Sequence, residues 1–255
     1  CYSLNFQRIG NTMTPWMKPL AFCLTIGTLT ACDLELDSKN SEPNQGSKVA
    51  EPTPIQNPVV KLRILETTDL HANIVNFNYY KNAPDDSVGL VKTASLIEQA
   101  RSEVENSVLV DNGDLLQGSP LGDYYAKVKG LTSHEAHPIY KAMNLLQYDV
   151  ANIGNHEFNF GLPFLKEAID DANFPYISSN IVFDDHDNND NNDISYFSPY
   201  LIQEKNVLDV DGKAHQLTIG YIGFVPPQVM QWDKNNLETR VKAKDIIDMA
   251  NHYVP

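Results

Sequence analysis

Past residue 32 the sequence has no cysteine, since Cys1, Cys23 and Cys32 are the only three in 255 residues. This excludes a disulfide-stapled scaffold and a thiol nucleophile for the bulk of the chain. Basic residues are also scarce. Nineteen Lys and Arg stand against 33 Asp and Glu, a net charge of -14, and no basic cluster relieves it. A nucleic-acid duplex or an anionic membrane surface is thereby excluded as the main partner, because both reward clustered positive charge. An anionic substrate would need positive charge from outside the chain, and a metal ion is the economical source. The apolar run at 19–31 is too short to cross a bilayer comfortably. What is present, 42% hydrophobic and 9% aromatic residues, suffices for a buried core in one large domain or two small ones.

The first 60 residues do not read as fold. Met17-Lys18 opens a basic segment, then "PLAFCLTIGTLTA" and Cys32 follow, the layout of a secretory signal. "LTAC" resembles the bacterial lipobox, whose cysteine is acylated. On this reading 1–32 are upstream residues and a lipoprotein-type signal, with Met13 as an alternative start, and 33–59 form a flexible tether. Cys32 would anchor the protein to the bacterial cell envelope, facing the periplasm, with Asp33 favouring the inner membrane. The membrane is then a partner only through the lipid.

From residue 60 to 255, strand-length apolar runs alternate with segments of helical period. "KLRILETT" (61–68), "SVLVDNGD" (107–114) and "DVANIGNHE" (149–157) read as strands. "GLVKTASLIEQARSEVEN" follows the first and places Leu90, Ala94, Ile97 and Val104 on one face. "HPIYKAMNLLQY" and "LPFLKEAIDDAN" are the later helices. This is an α/β pattern, in which ligands bind at the loops after the strands. "FPYISSNIV" is a further strand, 199–225 a pair of strands turning at Asp211-Gly212, and 240–255 an amphipathic helix. The acidic insert "DDHDNNDNND" (184–193) lacks the Gly and Glu of a calcium loop and reads as solvated.

Three of these loops carry chemistry. Asp69 and His71 lie in "TTDLHAN", Asp114 in "VDNGDLLQGSP", and Asn155 with His156 in "IGNHEFNFG". On extended backbone residues i and i+2 face one way, so Asp69 and His71 are expected to share an ion. Carboxylate, imidazole and amide oxygen suit a hard or borderline divalent cation, and a carboxylate such as Asp114 can bridge two. Gly113 and Gly154 permit close backbone approach. Each residue alone also fits a turn, a loop amide or a buried histidine, but all three follow predicted strands in order.

D-x-H, then G-D, then G-N-H-E resembles the signature of the calcineurin-like metallophosphoesterases. The resemblance covers roughly residues 60 to 255, the N-terminal part of the family's catalytic domain. It implies a β-sandwich flanked by helices, incomplete at the C-terminus here. It also implies two divalent metal ions, drawn from Mn, Co, Zn, Mg or Fe. Asp69 and His71 would bind the first metal, Asp114 both, and Asn155 the second. His156 would contact the phosphate and stabilise charge or protonate the leaving oxygen. "YYKN", "GLVKTASLIEQAR", "VLVDNGDLLQGSPLGDY", "HPIYKAMN", "GNHEFNFGL" and "IGYIGFVPPQVMQWDK" resemble the branch acting on nucleoside 2',3'-cyclic phosphates and 3'-nucleotides. In related 5'-nucleotidases an Asp stands three residues after this His. Asn159 stands there instead, holding an imidazole without adding negative charge, which favours the cyclic-phosphodiesterase branch.

The family completes its metal sites with histidines of a later "G-H-x-H" motif, which the sequence lacks. His134, His137, His186, His215 and His252 read as surface or structural. The four ligands left would hold metal weakly, so the chain reads as a fragment that would be inactive alone. The nucleotide-binding C-terminal domain implied by the resemblance is absent from this chain. The alternatives are a 5'-nucleotidase-type phosphohydrolase, or an inactive lipid-anchored metal-binding or interaction domain.

Overall fold

The computed structural model describes residues 57–254 except 132–134, 188 and 191. Cys32, the signal segment, nearly all of the tether and His134 lie outside the described residues. Strand β1 (Arg63–Thr67) buries Leu65 and Thr67. After a small hairpin of β2 (Phe77–Asn78) and β3 (Ala83–Pro84) comes helix α1 (Leu90–Ser102), which buries Leu90 and Ile97. It stops short of Val104, so that residue does not extend its apolar face as the periodicity predicts. Strand β4 (Ser107–Asp111) leads to α2 (Pro120–Tyr124), capped by the Ser119 hydroxyl, and to a π turn at Tyr125–Lys129.

Helix α3 (Pro138–Leu146) precedes β5 (Val150–Asn152), a 3-10 turn at His156–Phe158, α4 (Leu162–Ile169) and β6 (Tyr176–Ile177). The third predicted strand is thus shorter than expected. Its last residues leave the sheet to build the turn that carries His156.

Strands β1, β4, β5 and β6 form one parallel sheet in that order. Parallel neighbours require a crossover, and α1, α3 and α4 lie in the three connections. The register places Thr67 opposite Asp111, Asp111 opposite Ala151, and Ala151 opposite Tyr176. The strands therefore end nearly level, and the loops after β1, β4 and β5 leave the same edge. All of β5 is buried, as expected of a parallel strand covered on both faces. Leu109, Ile139, Met143, Ile153 and Phe158 are fully buried members of the same apolar core.

The remaining strands are β7 (Ile181–Phe183), β8 (Tyr200–Leu208), β9 (Ala214–Ile222) and β10 (Val241–Ala243). β8 and β9 pair antiparallel along nine residues and turn at Gly212, whose φ is 77°. β7 pairs antiparallel with β10. Among the described residues the expected sandwich consists of one continuous parallel sheet and separate antiparallel ladders. Short helices α5 (Val229–Trp232) and α6 (Lys234–Leu237) follow β9.

The segment 240–255, expected as one helix, divides into β10 and α7 (Ile246–Tyr253). Val241–Ala243 find partners in β7, and the Asp245 carboxylate accepts from the amides of Ile247 and Asp248, starting the helix there. The insert 184–193 is more constrained than a solvated loop. Lys242 reaches Asp184 and Asp185, and Lys244 reaches Asp190 and Asp193, each within 3.3 Å.

His137 is structural. It is fully buried at the start of α3, where Nδ1 accepts from the Ile139 amide at 3.3 Å while Nε2 has no partner among the described residues. Burial lowers its pKa from 6.5 to about 4. The neutral ring is therefore stabilising above pH 6.5, and that contribution is lost as pH falls through the depressed value. At pH 4 the wild-type protein should have lost about 3 kcal/mol more, relative to pH 7, than His137→Asn, which keeps a capping group without the titration. Denaturant melts of both proteins at the two pH values check this.

Candidate active site

The loop after β1 is not extended. Asp69, His71 and Ala72 have φ of 54°, 48° and 53°, in the left-handed region that costs a non-glycine residue roughly 1–2 kcal/mol. The same-face argument from strand geometry is thus wrong in its premise. The residues meet because the loop curls against its neighbour. Its amides at Asp69, His71 and Ala72 donate to the carbonyls of Gly113, Asp114 and Leu115, at 3.0, 3.0 and 2.6 Å. That pairing zips the first loop to the second, and Asp69 Oδ1 comes to 3.6 Å from His71 Nε2.

The His71 tautomer follows from its other nitrogen. Nδ1 lies 2.5 Å from the Gln117 carbonyl, and a carbonyl can only accept, so Nδ1 carries the proton. Nε2 is left facing the Asp69 carboxylate. A histidine whose far nitrogen is held by a backbone carbonyl is the usual arrangement of a metal ligand.

Asp114 is likewise left-handed, at φ 60°. Its Oδ1 accepts from the His156 amide at 2.8 Å, joining the second loop to the third. The two loops touch through glycines. A Cβ on Gly113 would lie 2.4 Å from the Gly154 nitrogen, and one on Gly154 would lie 2.4 Å from Asp114 Oδ1. Only glycines fit here, and at Gly113 the φ of 96° requires one as well. Asn155 opens the 3-10 turn, and its side chain makes no hydrogen bond among the described residues. His71 and His156 meet edge to face, with ring centroids 5.1 Å apart.

Glu157 lies inside the "IGNHEFNFG" motif, where nothing in the sequence assigns it a role. It is fully buried and accepts four backbone N–H groups, from Asp114, Leu115, Leu116 and Gly154, at 2.5 to 3.2 Å. Burial pushes its carboxyl above the usual carboxylate range, and the amide donors pull the other way. Beneath it, Asp111 accepts from the Thr67 hydroxyl at 2.5 Å and from the Gly113 amide at 3.0 Å. Burial raises its pKa to about 7.

Asp69, His71, Asp114 and Asn155 are thus brought to one edge of the sheet by hydrogen bonds among the three loops. Their donor set suits a hard or borderline divalent cation. Among the described residues no three His, Cys, Asp or Glu side chains close on a common point. The other described histidines lie outside this group: His186 contacts Asp184, His215 contacts Asp209 at 2.7 Å, and His252 meets Tyr253 edge to face.

Glu157→Gln should destabilise the protein by about 3 kcal/mol, because an amide NH2 would oppose buried N–H donors that now meet a carboxylate. Equilibrium unfolding checks it, and an unchanged midpoint would remove Glu157 from its clamping role.

Residues 62–253 match the family described as calcineurin-like phosphoesterase. The 2',3'-cyclic-nucleotide 2'-phosphodiesterase/3'-nucleotidase of Salmonella typhimurium is 56% identical over 200 residues, 77% of this chain and 29% of that protein. Its namesake from Haemophilus influenzae is 51% identical over 196 residues, with the same shares. The crystal structure of calcineurin-like phosphoesterase YfkN from Bacillus subtilis matches with a TM-score of 0.72 at 43% identity, covering 78% of this chain and 58% of that one. The chain spans under a third of the length of the two curated relatives. With the family match running over well more than half of its length, through all three loops, the chain belongs to the calcineurin-like phosphoesterases.

Proposed function

We propose that this chain is part of an enzyme that hydrolyses nucleoside 2',3'-cyclic phosphates and 3'-nucleotides. The observation that carries the reading is the zipped set of loops, in which an Asp-His pair, a second Asp and an Asn-His pair share one sheet edge. The choice of substrate rests on the names of relatives 51–56% identical to this chain. Calcineurin-like phosphoesterases use divalent metal ions, and the fit of this donor set is clearest at His71, whose Nδ1 is held by a backbone carbonyl while Nε2 faces Asp69. In this reading Asp69 and His71 would hold one ion and Asn155 a second, with Asp114 shared between them. Two divalent cations supply the positive charge that an acidic chain lacks, and they acidify water.

The chain's own residues do the rest. Asp114 aligns the loops through the His156 amide, so the group proposed to share the metals also sets where His156 stands. His156 turns Nδ1 toward Asn159 and leaves Nε2 to meet the phosphate, where the ring stabilises charge or, when Nε2 also carries a proton, passes it to the departing ribose oxygen. In the full-length protein, Asp114→Ala should lose both metal and turnover. His156→Ala should keep its metal while kcat falls about 100-fold or more. Metal analysis beside steady-state kinetics separates the two roles, and a metal-free His156→Ala with a fully loaded Asp114→Ala would reverse them.

The same proposal places the enzyme in the bacterial envelope, anchored through acylated Cys32 with residues 33–59 as tether. The support is the "LTAC" sequence after an apolar run. Two acyl chains give stable anchoring where one does not. Cys32→Ser should shift the protein from the membrane pellet to the soluble fraction, and a variant still fully membrane-bound after signal cleavage would count against the anchor.

A further inference from the structure

The sequence places an uncharged amide behind His156, but the structure continues past that amide. His156 Nδ1 lies 2.7 Å from Asn159 Oδ1. The Asn159 NH2 in turn points at Asp233, 3.0 Å from each carboxylate oxygen. Asp233 is 8% exposed and stands between α5 and α6, 74 residues along the chain from Asn159. Its amide donates to the Val229 carbonyl at 2.9 Å. Asn236, one turn on, donates to the carbonyls of Phe158 and Asn159 at 3.0 and 3.1 Å, fixing this helical corner to the His156 turn.

An ionised carboxylate can only accept hydrogen bonds. Both Asp233 oxygens face Asn159, so the amide must present its NH2 to them and its oxygen to the imidazole. A flipped amide would set oxygen against oxygen at both contacts. With an oxygen in front of it, His156 Nδ1 must be the protonated nitrogen. The negative charge that Asn159 lacks is therefore supplied one residue further out, and it acts by orienting an amide that would otherwise turn either way.

We propose that Asp233 is a positioning residue for His156: through Asn159 it fixes the Nδ1–H tautomer and holds Nε2 toward the place where the phosphate binds. The tautomer follows from the hydrogen bonds alone, whereas its kinetic consequence rests on the function proposed above. No feature near "QWDK" in the sequence marks Asp233, because its partner is contributed by a turn far upstream.

The test uses the full-length protein, loaded with Mg²⁺ and labelled with ¹⁵N-histidine, so that ring ¹⁵N shifts report which His156 nitrogen carries the proton. Wild type should show Nδ1–H. Asp233→Asn is nearly isosteric, but its own amide can pair with either orientation of Asn159. It should lose the single tautomer, with kcat reduced about 10- to 100-fold and KM little changed. Asn159→Ala, which leaves Asp233 and its backbone contacts in place, should release the tautomer too and is the second route should Asp233→Asn misfold. The exchanged pair Asn159→Asp with Asp233→Asn places an acceptor before Nδ1 again and should restore both the tautomer and most of kcat. A structural brace would not predict that rescue. An Nδ1–H signal unchanged in Asp233→Asn and Asn159→Ala would overturn the proposal, as would a neutral wild-type ring whose single proton sits on Nε2. A tautomer that responds as described while kcat stays constant would leave the relay standing and remove His156 from the reaction.

Discussion

The buried carboxylate of Glu157 is the interaction on which the site depends. Its two oxygens gather amides from residues 114–116 of one loop and from Gly154 of the next. Without it, four inward-pointing N–H groups would lie beside an apolar core with nothing to accept them. Because those amides belong to residues flanking Asp114 and Asn155, the bonds that satisfy them also set the separation of the two loops. The first loop is then placed by the second, through amides at 69, 71 and 72 that donate to carbonyls at 113, 114 and 115. The order of dependence runs from the core outward, Glu157 to the second loop to the first.

This order explains what was legible in the sequence. The α/β alternation and the order of strands and loops could be read because hydrophobic period is a local property, whereas the level ends of β1, β4 and β5 come from their pairing register. Asp69, His71, Asp114, Asn155 and His156 could be picked out because they sit directly after those strands. Their conformation could not. The left-handed turn at Asp69 and His71 is held by carbonyls more than 40 residues away, and nothing in "TTDLHAN" distinguishes it from a continued strand. Glu157 and Asp233 escaped for a related reason: the partners of one are backbone amides, which leave no side-chain signature, and the partner of the other is an asparagine remote in sequence. The break between β10 and α7 was missed because a three-residue strand exists only through its pairing with Ile181–Phe183.

Charge ties the two ends of the account together. A chain of net charge -14 gathers carboxylates at the sheet edge, while Lys242 and Lys244 are engaged by the acidic insert and Lys205 by Asp149. Mutual repulsion at that edge is limited by giving each carboxylate fixed dipoles. Glu157 has four amides, Asp111 a hydroxyl and an amide, and Asp114 the His156 amide. The backbone thus does within the fold what basic side chains do in many anion-handling proteins.

The left-handed residues narrow what evolution can substitute. Few non-glycine residues adopt positive φ, and Asp, Asn and His are the types enriched there, whereas β-branched residues are outliers. At positions 69, 71 and 114 the backbone therefore favours the same oxygen- and nitrogen-bearing side chains that the chemistry would use. A lineage that abandoned catalysis would still find those side chains convenient for holding the turns. In such a descendant part of the motif would outlast the activity, while Asn155, whose φ of -77° any residue can adopt, and His156 in the 3-10 turn after it would be free to drift as a record of the loss.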